Sequence, residues 1–123
     1  MSRRFITLVT GATRQFFVDL CYPDSKEPMD LTTASQIIVS MLAASGGAPV
    51  TVDMTNGVSI IGSAGAGRIA VDITAEKSAL LLVNPSPTTM QDLQVEVIDS
   101  NSEITIIILP QALNVVAPDF PIV

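Results

Sequence analysis

Twelve carboxylates in 123 residues, and no histidine, set the chemistry open to this chain. Asp53, Asp72 and Asp92 each sit on the polar side of an alternating apolar stretch. If those stretches are neighbouring strands, their side chains converge. Paired carboxylates can then do acid–base work or hold a divalent cation. The plainer reading is solvated residues that discourage edge pairing. Asp99, Asn101 and Glu103 alternate as oxygen ligands do, but their segment is shorter than a twelve-residue calcium loop, and a plain turn competes. Asp30, followed by the hydroxyls of Thr32, Thr33 and Ser35, reads either as a site or as a turn entering a strand.

The missing histidine removes more than the carboxylates offer. Neither Ser-His-Asp nor Cys-His catalysis can be assembled, and one cysteine without histidine cannot build a Cys/His zinc site. Cys21 has no intramolecular partner and is expected to be a packed or half-packed thiol. GSAGAG (62–67) and TGAT (10–13) carry glycines but lack the Lys-Ser/Thr of a phosphate loop, and read as turns. The sequence therefore predicts no catalytic residue, no metal ligand, no cofactor and no enzymatic activity.

Partners are constrained by charge. The formal net charge is −6, and the six basic residues Arg3, Arg4, Arg14, Lys26, Arg68 and Lys77 form no cluster. Nucleic acid is excluded on that ground. The longest apolar run, near 104–109, is too short to span a bilayer, and no signal peptide opens the chain. Neither a membrane nor export is expected, and synthesis is placed in the cytoplasm. Charged residues make up 15% of the chain, below the roughly 25% of an average domain. Part of the surface is expected to be covered by other protein.

The elements that must position these residues are strands. PVTVDM (49–54), GRIAVDI (67–73) and DLQVEV (92–97) alternate with period two, facing Val50, Val52, Met54, Ile69, Val71, Ile73, Leu93, Val95 and Val97 inward. FITLV (5–9), QFFVDL (15–20), QIIVSML (36–42), EITIIIL (103–109) and LNVVA (113–117) are weaker strands. About eight strands with turns at GATR, ASGGAP, TNG, GSAGAG and DSNSE read as a sandwich or a barrel. TAEKSALLL (74–82) breaks the alternation and reads as one or two helical turns capped by Thr74, with Leu80 and Leu81 or Leu82 closing one end of the fold. Pro85 and Pro87 hold an extended stretch.

Three kinds of apolar residue are candidate assembly contacts. They are Ile38, which the alternation turns outward, Ile107 within the two-faced Ile106–Ile108 run, and Phe120, Ile122 and Val123 in the non-alternating, Pro-broken tail APDFPIV. That tail packs either on its own domain or on a neighbour.

Three blocks, in order, carry a resemblance. PMDLTTASQIIVSM (28–41) resembles a P-I-D-L-T-G-A-T-V segment through Pro28, Asp30, Leu31, Thr32, Ala34 and Ile37 or Ile38. NGVSIIGSAGAGRIAVDITAEKSALL (56–81) resembles an N-G-I-x-I … G-x-I/V-x-V-x-L-T run through Asn56, Gly57, Ile60, Gly67, Ile69, Val71, Ile73, Thr74 and Leu80. MQDLQVEVIDSNSEITIIILPQALNVV (90–116) is similar to a strand, hairpin and final strand. It departs at Met90, at the glycine-free hairpin and at Pro110-Gln111-Ala112. Together the blocks look like small phage tail and baseplate β-domains, nearest to the N-terminal domain of the siphophage baseplate upper protein. The resemblance covers about residues 12–117 and implies an all-β, Ig-like antiparallel β-sandwich of seven to eight strands with one short helix; the chain length suits one domain over 1–123, with 117–123 as a contact tail. It implies a virion structural subunit, a tail or baseplate adaptor or connector, present in many copies or as a homo-oligomer among other virion proteins. A head decoration protein and a small carbohydrate- or protein-binding module are the alternatives. No catalytic residue carries over.

Overall fold

A computed structural model describes residues 6–41, 49–81 and 88–116. The expected ASGGAP loop, the Pro85/Pro87 stretch and the tail lie largely or wholly outside them. The strands are β1 (Ile6–Val9), β2 (Arg14–Asp19), β3 (Ala34–Met41), β4 (Val50–Asp53), β5 (Val58–Ile60), β6 (Arg68–Ile73), β7 (Thr88–Asp99) and β8 (Ile104–Val116). One helix, α1 (Ala75–Ala79), and a single 3-10 turn at Ala64–Ala66 complete the described elements.

The strands form two sheets, a five-stranded one in the order β1-β8-β7-β3-β4 and a three-stranded one in the order β2-β6-β5. The arrangement is sandwich-like, and the strand order is that of an immunoglobulin-type fold whose β8-β7-β3 sheet is widened by β4. Ile37, Val39, Leu93 and Val95 from the larger sheet and Phe16, Val18, Ile69 and Val71 from the smaller one are all buried in one core cluster. Burying each such side chain contributes about 1.5–3 kcal/mol, so alternation alone orients these strands.

One pairing is not antiparallel. β1 runs parallel to β8, with Ile6 opposite Leu113 and Val9 opposite Val116. Parallel neighbours need a crossover connection, and here most of the chain lies between the two. LNVVA is not a separate strand but the second half of β8. A bulge joins the halves: Gln91 pairs Leu113 and Leu93 pairs Leu109, so Asp92 alone stands opposite Pro110, Gln111 and Ala112. Two extra residues preserve parity, which keeps Ile107, Leu113 and Val115 all pointing inward. The eighth strand is instead β5, a three-residue stretch too short to show a period.

Two inward assignments and one outward one fail. β4 ends at Asp53, and Met54 is exposed because the chain turns there, with the Asn56 N–H donating to the Asp53 carbonyl. Ala70, expected outside, is buried opposite Phe17. At the end of α1, Leu81 is buried but Leu80 is 57% exposed. Thr74 does cap the helix, its hydroxyl accepting from the Lys77 N–H at 3.2 Å.

Gly67 ties the smaller sheet to the loop before β3. It sits at φ +71°, and a Cβ there would lie 2.5 Å from the Leu20 carbonyl oxygen and 2.9 Å from the Met29 nitrogen. That close approach lets Leu20 N–H donate to the Gly67 carbonyl and Met29 N–H donate to the Leu20 carbonyl.

Candidate functional site

The fold separates the carboxylates. Asp72 lies on β6, in the opposite sheet from Asp53 and Asp92, and β3 stands between the strands carrying those two. No group of three or more potential metal ligands occurs among the described residues. Asp53 is a turn former: one carboxylate oxygen accepts from the Thr55 N–H at 2.9 Å and from the Thr55 hydroxyl. These bonds hold its carboxyl below the usual range. Asp99 does the same for its hairpin, accepting from the Asn101 N–H at 2.8 Å and the Glu103 N–H at 2.9 Å.

Asp30 belongs to the same class. Its carboxylate accepts from the Thr32 hydroxyl and from the Thr32 N–H at 2.9 Å, and these bonds lower its pKa. Its own N–H donates to the Tyr22 hydroxyl at 3.1 Å. Met29 and Leu31 on either side are buried, so the stretch is a turn pinned into the core. Cys21 corrects the expectation of a packed thiol, because its residue is exposed. A bridge pairs it with Pro28 near the edge of the fold, where neither sheet covers it.

Outward apolar side chains are where the surface departs from an ordinary one. Ile104, Ile106 and Ile108 are 58%, 51% and 55% exposed, while Ile107 between them is 7% exposed and belongs to the core. The contact expected at Ile107 therefore falls on its neighbours. The inward parity of β8 is fixed by Leu113 and Val115 across the bulge, information that a run of identical isoleucines does not carry. Ile38 does face outward, half-buried. Phe120, Ile122 and Val123 lie outside the described residues.

The strand registers place these residues in rows across the outer face. Asp53, Ile38, Glu96 and Ile106 form one row. Gln36, Ile98 and Ile104 form the next on one side, and Ser40, Gln94 and Ile108 on the other. The result is an apolar strip along β8, with Ile98 and Ile38 reaching inward from it and Glu96 set between two isoleucines.

Among the described residues, the strip also lies on an open edge. β1 covers β8 only from Leu113 to Val116. Asp99 N–H donates to the Glu103 carbonyl, which fixes the alternation of the hairpin. Thr105, Ile107 and Leu109 thus direct their backbone groups at β7, and Ile104, Ile106 and Ile108 direct theirs away from it. An outer face of isoleucine beside a row of open peptide groups suits protein–protein contact and carries no reactive group.

A groove of about 900 Å³ opens on the same side, between β8 and the outer edge of β2. Phe16 and Val18 line it from β2, Leu109 and Ala112 from β8, and Ile6 from β1. Arg14 lies at one end, and at the other Arg68 Nε donates to Asp19 Oδ1 at 2.8 Å. That bond lowers the Asp19 pKa. No local pattern marks the groove, since its walls come from strands far apart in the chain. A scan of the sequence against family models finds no match, and a search of curated proteins finds none either.

Proposed function

We propose that this chain is a non-enzymatic structural subunit of a bacteriophage particle, an adaptor or connector of the tail or baseplate that works through protein–protein contacts. The observation that carries this reading is the strip of Ile104, Ile106 and Ile108, apolar on its outer face and, among the described residues, open at its edge. A lone soluble domain rarely leaves such a strand uncovered, because it invites pairing with other chains. The three-block resemblance supplies the phage context, and the sandwich-like fold agrees with it. The mechanism is geometric: a rigid pair of sheets presents a fixed strip to repeated copies of another particle protein.

Mass spectrometry of gradient-purified particles, from the strain that encodes the chain, tests this. The chain is expected at a fixed stoichiometry with tail proteins, and Ile106→Lys is expected to abolish incorporation while the purified variant stays folded. Absence from particles, with the protein abundant in the lysate, sinks the proposal.

A further inference from the structure

The edge of β2 offers a second, differently built surface. β2 pairs with β6 alone among the described residues. The Leu20 N–H donates to the Gly67 carbonyl, one step beyond the paired register of Asp19 with Arg68. Alternation from that bond directs the backbone groups of Arg14, Phe16 and Val18 at β6, and those of Gln15, Phe17 and Asp19 away from the sheet. The outward-directed positions also carry the outward side chains, and Phe17 at their centre is 58% exposed.

Open edges are ordinarily blunted by proline, lysine, a bulge or extreme shortness. On β8, Pro110 and the bulge interrupt the edge, which leaves only the isoleucine strip already described open. β5 is three residues long and β4 is four. β2 has six residues, no bulge in its pairing with β6, no proline and no lysine, and its two charged residues, Arg14 and Asp19, stand only at its ends.

We propose that β2 pairs with β2 of a second copy of this chain, antiparallel across a two-fold axis through Phe17, joining the two small sheets into one continuous six-stranded sheet. The register follows from charge. With Phe17 opposite Phe17, Asp19 of each copy stands opposite Gln15 of the other, an amide able to donate to the carboxylate. A slip of two residues one way removes Phe17 from its like partner and sets it opposite Asp19. A slip of four sets Asp19 against Asp19, and like charges directly opposed are destabilising. The centred register exchanges about six peptide hydrogen bonds and pairs two exposed aromatic rings. It also closes the open side of the groove of each copy with the groove of the other. This interface is separate from the isoleucine strip, and it stands or falls without the phage reading.

Cysteine cross-linking in a Cys21→Ser background tests the axis. Facing Cα atoms in such a pair lie within the span that a disulfide bridges. Under mild oxidation, Phe17→Cys is expected to form a covalent dimer. Gln15→Cys alone is expected to stay monomeric, and a mixture of Gln15→Cys with Asp19→Cys is expected to give the mixed dimer. Sedimentation equilibrium of the unmodified protein should show a dimer that Phe17→Pro dissociates at least tenfold more readily, with an unchanged circular dichroism spectrum. Ile106→Lys should leave the dimer intact. A monomer at about 1 mM overturns the proposal, since association that weak is below any specific interface. So does cross-linking of Gln15→Cys as fast as Phe17→Cys, or a dimer lost in Ile106→Lys and kept in Phe17→Pro.

Discussion

Ser78 joins α1 to the turn between β1 and β2: the Gly11 N–H donates to its hydroxyl oxygen at 3.0 Å, and that hydroxyl donates to the Ala12 carbonyl at 2.7 Å. The side chain is fully buried. Ser78→Ala strands a donor and an acceptor that water reaches poorly, so a loss of about 1–3 kcal/mol is expected. Urea denaturation followed by circular dichroism measures it. A loss within error of zero would mean that the tie is replaced by solvent.

Gly67 and Gly62 separate two costs of adding a methyl group. Both have positive φ, +71° and +63°, but a Cβ at Gly62 meets nothing within 4 Å. Gly62→Ala is expected to cost about 1–2 kcal/mol for the left-handed backbone alone. Gly67→Ala adds a collision with the Leu20 and Met29 backbone, which must shift. Its denaturation midpoint should fall well below that of Gly62→Ala, and equal midpoints would refute the close packing of the loop on β6.

Parity along β8 is open to the same measurement. Ile107→Ala should cost about 2–4 kcal/mol as a core cavity, and Ile106→Ala less than about 1 kcal/mol. The reverse order would place the strand one residue out of register.

Acid should weaken the fold in a defined direction. Hydrogen bonds hold the carboxyls of Asp19, Asp30 and Asp53 below their ordinary values. Their unfolded pKa is about 3.9, so the unfolded chain binds more protons than the folded one as pH drops. The stability these groups supply is complete above that value and is lost as pH falls through the depressed folded values. The thermal midpoint should be insensitive to these groups between pH 7 and 5, then decline toward pH 2. Replacing both donors, Thr32→Val with Thr55→Val, should make the decline shallower. A midpoint that rises on acidification contradicts the assignment.

Cys21 is exposed, so it should react with a disulfide reagent in the native protein without denaturant. Reaction only after denaturation would return it to the interior.

Sequence periodicity was enough for the strands whose apolar residues alternate cleanly. Ile37, Val39 and Met41 in β3, and Leu93, Val95 and Val97 in β7, all point inward as their spacing requires. Periodicity failed where it is absent. β5 is too short to show one, and the isoleucines of β8 supply the same side chain to both faces. Met29 and Leu31 alternate too, but they do so in an irregular loop anchored by Asp30 and Thr32, where no strand signal draws attention. The groove and the free edge of β2 depend on which strands become neighbours, and a single sequence does not encode that in any local pattern. The carboxylates show the converse. Their types and spacing suggested a site, and the division of Asp53 and Asp72 between two sheets removes it.

The parallel pairing of β1 with β8 also has a meaning in time. A ribosome releases Ile6–Val9 long before it has made Leu113–Val116, so β1 waits without its partner while all the strands between them are made. Of the other strands, β2 waits until β6 is made, and each of the rest has a neighbour made earlier or directly after it. Closure of the larger sheet therefore waits for β8, and until then the backbone groups of β1 are available to any neighbouring nascent chain on the same message.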